Sequence, residues 1–375
     1  MCTNITIKAK DESVIVGRSM ENAVFMKSNV FFRSEGYHYT QDLKQEHLVY
    51  RKGKQGVNQG LKPIKGSQLH QWKGRYSFVA MSALGVDLVA HGMNSEGLVT
   101  GDMTFIGSEY QSFGEKDDTL IAYPFLAAWL LSTCGSCQDV KDKLPEFRVV
   151  DPFVNMHPGF FFHFPVNDSK GNAIVIEFIN GELNIYDNNE IGVLTNDPKL
   201  PWQHENLKNY ASISPVNVPK EKGNRFSVAS MAQGTGFSGL PGSSTPVDRY
   251  VRAAMMANYA YDASTGNDAI NLAAHIMNTV DIPRGTSRVN EESAADKQLS
   301  DFTQWITLSN TKDLKYYVRS YDTPLMFVVD FKSILSEHTQ DLSAINELEY
   351  AIPKNRLAVN LIEEFAEKLV VDAVS

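Results

Sequence analysis

Polar and apolar residues alternate along "TNITIKAK", and "SVIVGRSM" follows after the turn "DES". A period of two marks a strand with one buried face, so the two segments are predicted to pair as a hairpin. Antiparallel pairing returns the end of the second strand to the start of the first. That places Cys2 at the head of a strand and close to Arg18.

Residues from about 31 to 72 are polar with Gly and Lys interspersed, and they are predicted as loops and short strands on the rim of a site. "RYSFVAM", "DLVAHGM" and "GLVTGDMTF" read as further strands, the last two joined by "NSEG". "YPFLAAWLLST" is an apolar helix opened by Pro124. Gly135 stops it, and Ser136 with Asp139 caps the next helix, "CQDVKDKL". The run "GFFFHFPVNDSKGNAIVIEFINGELNIYDN" breaks into strands at "DSKG" and "NGE". "TPVDRYVRAAMMANYA" and "NDAINLAAHIMNTV" are helices, while "QWITLSNTKDLKYYVRSYD" and "PLMFVVDF" return to strand. The order strands, helices, strands, helices, strands predicts an α+β fold, with two antiparallel sheets between helical layers rather than βαβ units. We expect a single domain over residues 1–375, with "KNRLAVNLIEEFAEKL" as an amphipathic helix in a C-terminal tail from about 353 to 375.

Composition narrows the partners. A 375-residue chain that is 43% hydrophobic has material for a large core. Its net charge of −9 argues against nucleic acid and anionic membrane. No apolar run approaches the ~18 residues that span a bilayer. The N-terminus lacks the regions of a signal peptide, so with Met1 as the true start the expected location is cytoplasmic. Had an export signal been removed ahead of it, the location would be periplasmic or secreted.

Three cysteines make no disulfide framework. Cys134 and Cys137 have C-x-x-C spacing, but no second pair or histidine pair completes a zinc site, and packing is the expected role. Nine histidines include no H-E-x-x-H, and His163 lies in an aromatic strand where a structural role is expected. Gly234-x-Gly236-x-x-Gly239 imitates a dinucleotide fingerprint. The following Leu240-Pro241-Gly242 breaks the helix that fingerprint needs, so close backbone approach is the better reading. No metal or organic cofactor is expected.

Cys2 stands out by position. Small residues after the initiator permit its removal, which would leave a thiol and a free α-amine on one residue. An α-amine titrates near ~7.7–8.0, so a neutral base is available near pH 7 beside the sulfur. The competing reading is a small residue at a frayed terminus. Arg18, Glu21, Asp102, Asn196, Asp197 and Arg249 are the other candidate polar site residues, each with a surface or turn alternative.

Long ordered stretches then resemble one family. Met1-Cys2-Thr3, "GRSME", "GMNSEGL", "VNDSKGNAIVIE", "LNIYDNNEIGVLTNDP", "GTGFSGLPGSSTPVDRYVRAA" and "FTQWITLSNTKDLKYYVRSYD" are similar to the choloylglycine hydrolase and penicillin V acylase family of N-terminal-nucleophile hydrolases. The resemblance implies a four-layer αββα sandwich, a homotetramer and a linear amide C–N hydrolase. It implies Cys2 as nucleophile with its own α-amine as base. Arg18 would sit beside the sulfur and favour the thiolate. Glu21 stands where much of the family has an aspartate that contacts the terminal amine. Asn196 matches the side-chain donor of the oxyanion hole, and Arg249 the second active-site arginine. The backbone donor aligns with Thr104, where bile-salt hydrolases usually carry asparagine and penicillin acylases often tyrosine. The implied substrate is a small-molecule amide with an apolar acyl group, foremost a conjugated bile salt. Penicillin V or an acyl-homoserine lactone is the alternative, and a catalytically silent binding protein of the same fold the remote one. Loops 22–30, 57–72 and 103–113 are expected to shape the acyl pocket.

Overall fold

The structure is a computed structural model and describes residues 1–41, 64, 66–152, 161–219, 221–230, 232–288 and 299–354. The predicted hairpin forms from Cys2–Lys8 and Val14–Asn22, with Cys2 opposite Met20 and Asn4 opposite Arg18. The second strand is buried almost end to end. A strand covered on both faces need not alternate, which explains the continuous "VIV".

Around this hairpin runs a seven-stranded antiparallel sheet in the order Val193–Leu194, Cys2–Lys8, Val14–Asn22, Ser300–Asn310, Lys315–Ser320, Phe327–Asp330, with Ser287–Arg288 also paired to Ser300–Asn310. A nine-stranded sheet faces it, in the order Glu182–Asp187, Ala173–Ile179, Phe162–Asn167, Val99–Gly101, Leu88–Asn94, Phe78–Ala83, Asn29–Arg33, Glu349–Ala351, with Met103–Thr104 paired to Phe162–Asn167. Every pairing within these two sheets is antiparallel. His91 bridges the sheets, its Nδ1 lying 3.0 Å from both Tyr316 Oη and Thr307 Oγ1.

Helices close both outer faces. Pro246–Tyr259 and Gly266–Asn278 bury Tyr250, Ala253, Ala269, Ala273 and Met277 in one core with Ile5 and Ile15 of the first sheet. Leu126–Thr133 buries Leu126, Leu130 and Leu131 with Phe78, Phe164 and Ile176 of the second. The result is the αββα sandwich that the residue pattern anticipates. Capping sets the helix starts: Thr245 accepts from Asp248 N–H, Thr265 and Asp268 form a reciprocal box, and Ser136 accepts from Asp139 N–H.

Some elements depart from the expected pattern. The helices Leu200–Leu207 and Phe331–Glu337 are additional. "GLVTGDMTF" is not one strand but two, Val99–Gly101 and Met103–Thr104, with Asp102 at the break. Part of the supposed polar rim joins the nine-stranded sheet as Asn29–Arg33. Residues 57–63 and 65 of the expected pocket loop, and the expected helical tail beyond residue 354, lie outside the described residues. Among the described residues no helix is long and apolar enough to cross a membrane.

Candidate active site

Pairing of the first two strands delivers the site. Cys2 begins its strand and is 4% exposed. The Arg18 Nη2 group donates to Cys2 Sγ at 3.3 Å and also to the main-chain carbonyl of Asp102. Its guanidinium lies 5.7 Å from the ring centre of Trp305, on the neighbouring strand. A guanidinium carries a positive charge, and the pairing of the two strands sets this one beside the sulfur.

Asn196 follows the short strand Val193–Leu194, which pairs with the first strand. Its Oδ1 accepts from Cys2 N at 2.9 Å and from Arg249 Nη2 at 2.7 Å. Its Nδ2 donates to the Thr104 carbonyl at 2.7 Å. Two donors on the oxygen and an acceptor at the nitrogen settle which way the amide faces. One of the two Nδ2 hydrogens remains for a further acceptor. Arg249 is fully buried in the first turns of its helix. Its Nη1 donates to the Cys2 carbonyl at 2.5 Å and Thr3 Oγ1 at 2.6 Å, and its Nε donates to the Ser244 carbonyl at 3.0 Å.

Four of the predicted residues, Cys2, Arg18, Asn196 and Arg249, thus form one hydrogen-bonded group with the Thr104 main chain. Glu21 is set apart. Its main chain pairs with Met1, and its Oε1 accepts from Thr303 Oγ1 at 3.0 Å. Among the described residues Oε2 has no partner. Burial raises the Glu21 carboxyl above the usual range, opposed by the charges of Arg249 and the terminal ammonium. Asp197 is no part of the group, because its carboxylate accepts from the Ile106 and Gly107 amides at 2.9 and 3.0 Å and holds that loop.

A cavity of about 70 Å³ opens at the sulfur. Arg18, Glu21, Asp102 and Thr104 line its polar end, and Met20, Met26, Leu84, Leu88, Tyr123 and Phe162 its apolar wall. Of the expected pocket loops, 22–30 supplies Asn22, Met26 and Ser28, and 103–113 supplies Thr104. The residues at 83–90, 123–124 and 162 were not expected there. Apart from Leu84, which lies in a turn, they lie in strands and at a helix start, where apolar character reads as core.

Two further residues support the site: His163, in a strand and structural as expected, and Glu177, which the sequence reading missed. His163 stacks on Phe105 at 4.9 Å, and its ring nitrogens contact Glu177 Oε1 at 3.2 Å and the Thr195 carbonyl at 3.0 Å. Glu177 also accepts from the Leu200 amide at 3.0 Å. This pair fixes the chain on either side of Asn196. A glutamate inside the apolar strand "AIVIEFI" is the available signal. Cys134 and Cys137 are buried free thiols, with burial pushing the first up to about 11 and the second higher still. Thiols held protonated pack rather than react. Among the described residues no cluster of three or more His, Cys, Asp or Glu could hold a metal.

A sequence model described as linear amide C–N hydrolases, choloylglycine hydrolase family, matches residues 2–343. A bile salt hydrolase/transferase of Clostridium perfringens is 29% identical over 341 residues, covering 88% of this chain and 92% of its own. Penicillin V acylase of Pectobacterium atrosepticum is 25% identical over 288 residues, covering 70% of this chain and 68% of its own. Among solved structures, a mutant conjugated bile acid hydrolase from Clostridium perfringens superposes with a TM-score of 0.75 at 25% identity, over 96% of this chain and 99% of the other.

Proposed function

This chain belongs to the choloylglycine hydrolase family of linear amide C–N hydrolases, and from that premise we propose that Cys2 is its nucleophile and a conjugated bile salt its substrate. Removal of Met1 turns the Cys2 amide nitrogen into an amine able to act as base. The amine takes the thiol proton as sulfur attacks the substrate carbonyl. The remaining Nδ2 hydrogen of Asn196 and the Thr104 N–H bind the oxyanion, a contribution of about 2.7–4 kcal/mol for one such donor. The resulting α-ammonium returns its proton to the departing amine, leaving a thioester on Cys2. Water then loses a proton to the same amine and attacks the thioester, releasing the acid and restoring the thiol. Arg249 holds the Cys2 main chain and the Asn196 amide in register.

One observation carries this reading: Cys2 Sγ lies 3.3 Å from Arg18 Nη2, beside an asparagine amide whose orientation is fixed, at the polar end of an apolar cavity. An apolar wall suits an apolar acyl group. The similarity to a bile salt hydrolase/transferase supports the substrate, while the similarity to a penicillin V acylase keeps penicillin V and long-chain acyl-homoserine lactones as the second reading. A panel of glycocholate, taurocholate, penicillin V and a long-chain acyl-homoserine lactone decides. We expect the bile salts to show the highest kcat/KM and Cys2→Ser to abolish turnover. A preference for either other class moves the substrate to the second reading. Folded protein that lacks Met1 and hydrolyses none of them would make the chain a silent binding protein.

We further propose a homotetramer. The hairpin of Glu221–Lys222 and Ser227–Val228 displays Phe226 and Val228, with Val216 and Val218 nearby in sequence, each at least half exposed. Such an apolar group suits burial against a second copy, and sedimentation of wild type beside Phe226→Asp tests it.

A further inference from the structure

The two oxyanion donors of the site come from different segments, and a third residue ties those segments together. Phe105 donates through N–H to the Phe161 carbonyl at 2.8 Å, and Thr104 lies opposite Phe162. Hydrogen-bonded and open pairs alternate along an antiparallel ladder, so Thr104 sits at an open pair with its N–H and carbonyl both turned away from the Phe162 strand. Its carbonyl meets Asn196 Nδ2 at 2.7 Å, and its N–H therefore faces the same side as the Asn196 amide. Asp197, the next residue along, grips the same segment farther on. One carboxylate oxygen accepts from the Ile106 amide at 2.9 Å and the other from the Gly107 amide at 3.0 Å. Ile106 is 72% exposed, so burial of its side chain does not hold this stretch. Phe105 anchors the stretch to the sheet, buried and stacked on His163 at 4.9 Å. Beyond Thr104, the carboxylate clamp fastens it to the Asn196 segment.

We propose that Asp197 is a positioning residue for the oxyanion hole, acting through the Thr104 main chain without touching the substrate. This rests on the amidase reading of Cys2 and on the two donors placed there. Among the described residues three hydrogen bonds join the segments: Asn196 Nδ2 to the Thr104 carbonyl, and the Ile106 and Gly107 amides to Asp197. One bond between two segments is a pivot, whereas bonds at both ends fix distance and angle together. Residues 196 and 197 thus hold the Thr104 N–H at a set angle to the remaining Nδ2 hydrogen of Asn196. Donors stabilise an oxyanion only when both aim at one point, and a misplacement of about 1 Å can cost roughly a hundredfold in rate. Bonds from amides to a carboxylate are roughly twice as strong as those to a neutral acceptor, which suits a clamp on an exposed loop. Asp197 is absent from the described lining of the Cys2 cavity, so its loss leaves the acyl pocket in place.

The test compares wild type, Asp197→Ala and Asp197→Asn, all lacking Met1. Turnover is measured with glycocholate, and binding with the aldehyde and the alcohol formed by successive reduction of the cholic acid carboxyl group. The Cys2 thiol adds across the aldehyde carbonyl, sulfur to carbon and the thiol proton to oxygen, and that oxygen occupies the oxyanion hole. The alcohol forms no such adduct. Where the substrate panel prefers another acyl group, its own aldehyde and alcohol replace these, phenoxyacetaldehyde and phenoxyethanol for penicillin V. We expect Asp197→Ala to lower kcat roughly tenfold or more with KM within about threefold of wild type. Aldehyde affinity should fall by a similar factor while alcohol affinity holds. Asp197→Asn keeps one acceptor oxygen and so one of the two amide bonds, and should recover part of the loss. Both ligands are measured on one preparation, so partial unfolding cancels in their ratio, and a role confined to stability moves only the melting temperature. Wild-type kcat with an unchanged ratio in Asp197→Ala would overturn the assignment, as would equal weakening of both ligands. Should Asp197→Ala not fold, Asp197→Asn, alike in shape, decides, and an unchanged kcat and ratio there overturn it too. The amidase reading fails differently: wild type would hydrolyse no amide of the panel and bind the aldehyde no more tightly than the alcohol, and this assignment would fall with it.

Discussion

Asn196 shows how much one side chain is asked to do. Its oxygen is committed to Arg249 and Cys2, and one amide hydrogen to Thr104. If the other hydrogen serves the oxyanion, its contribution exists in the transition state and hardly with the ground-state carbonyl. Asn196→Ala should then lower kcat by roughly a hundredfold or more with little change in KM. A variant that melts lower yet keeps its kcat would leave Asn196 with only a structural part before Pro198. The family resemblance led to this residue through "LTNDP", and it also raised Cys2, whose position alone had favoured a frayed terminus, to the expected nucleophile. It could not show that Asp197, its neighbour, is turned away to hold residues 106 and 107. Adjacent residues in an extended loop face different partners, and only the packed chain selects them.

At the scale of elements, the glycine-rich segment is the instructive case. Gly234-x-Gly236-x-x-Gly239 folds as a short three-ten turn, Thr235–Phe237, and opens no long helix. A Cβ at Gly236 would meet the Val216 and Ser214 carbonyl oxygens at 2.1 and 2.3 Å. Main-chain atoms cannot swing aside as a side-chain tip can, so Gly236→Ala should cost on the order of 3 kcal/mol or more and lower the melting temperature by several degrees. Thermal unfolding of this variant measures it, and an unchanged midpoint would show that the two segments separate freely. The glycine is there for the approach of two backbones, as its position before a helix-breaking Leu-Pro-Gly suggests. Helix starts were similarly legible, because a cap is a local bond between residues three apart. The helices Leu200–Leu207 and Phe331–Glu337 were not, since each is short and only part of each is buried.

For the molecule as a whole, buried acids shape stability against pH. The Asp102 carboxyl keeps its proton up to about pH 7 when folded, against an ordinary value of 3.8. Between those values the folded chain binds more protons than the unfolded one, so stability falls as pH rises through this window. Its contribution is therefore fully favourable below about 3.8 and is lost above about 7. Glu21, raised for the same reason, acts in the same direction. Asp102→Asn carries no titrating group, and its melting temperature relative to wild type should rise by a few degrees between pH 5 and pH 8. An identical difference at both pH values would mean that Asp102 ionises as if in water.

The sequence by itself determined the layers of this protein. The hairpin, the turn punctuation, the capped helices and the order of strands and helices are written in neighbouring residues, where periodicity and local hydrogen bonds decide. It also singled out Cys2, because a free α-amine beside a thiol is a property of position. Tertiary structure alone decided what surrounds that thiol. Arg18 reaches the sulfur only once the first two strands pair, and Asn196 and Arg249 arrive from 194 and 247 residues away. The apolar cavity wall comes from strands that look like core in any single segment. Asp102 reads as a residue inside one strand, and only the folded chain shows the strand breaking there. Long-range contacts fix these facts, and a polar residue's partner cannot be read from its own neighbourhood when folding supplies that partner from elsewhere.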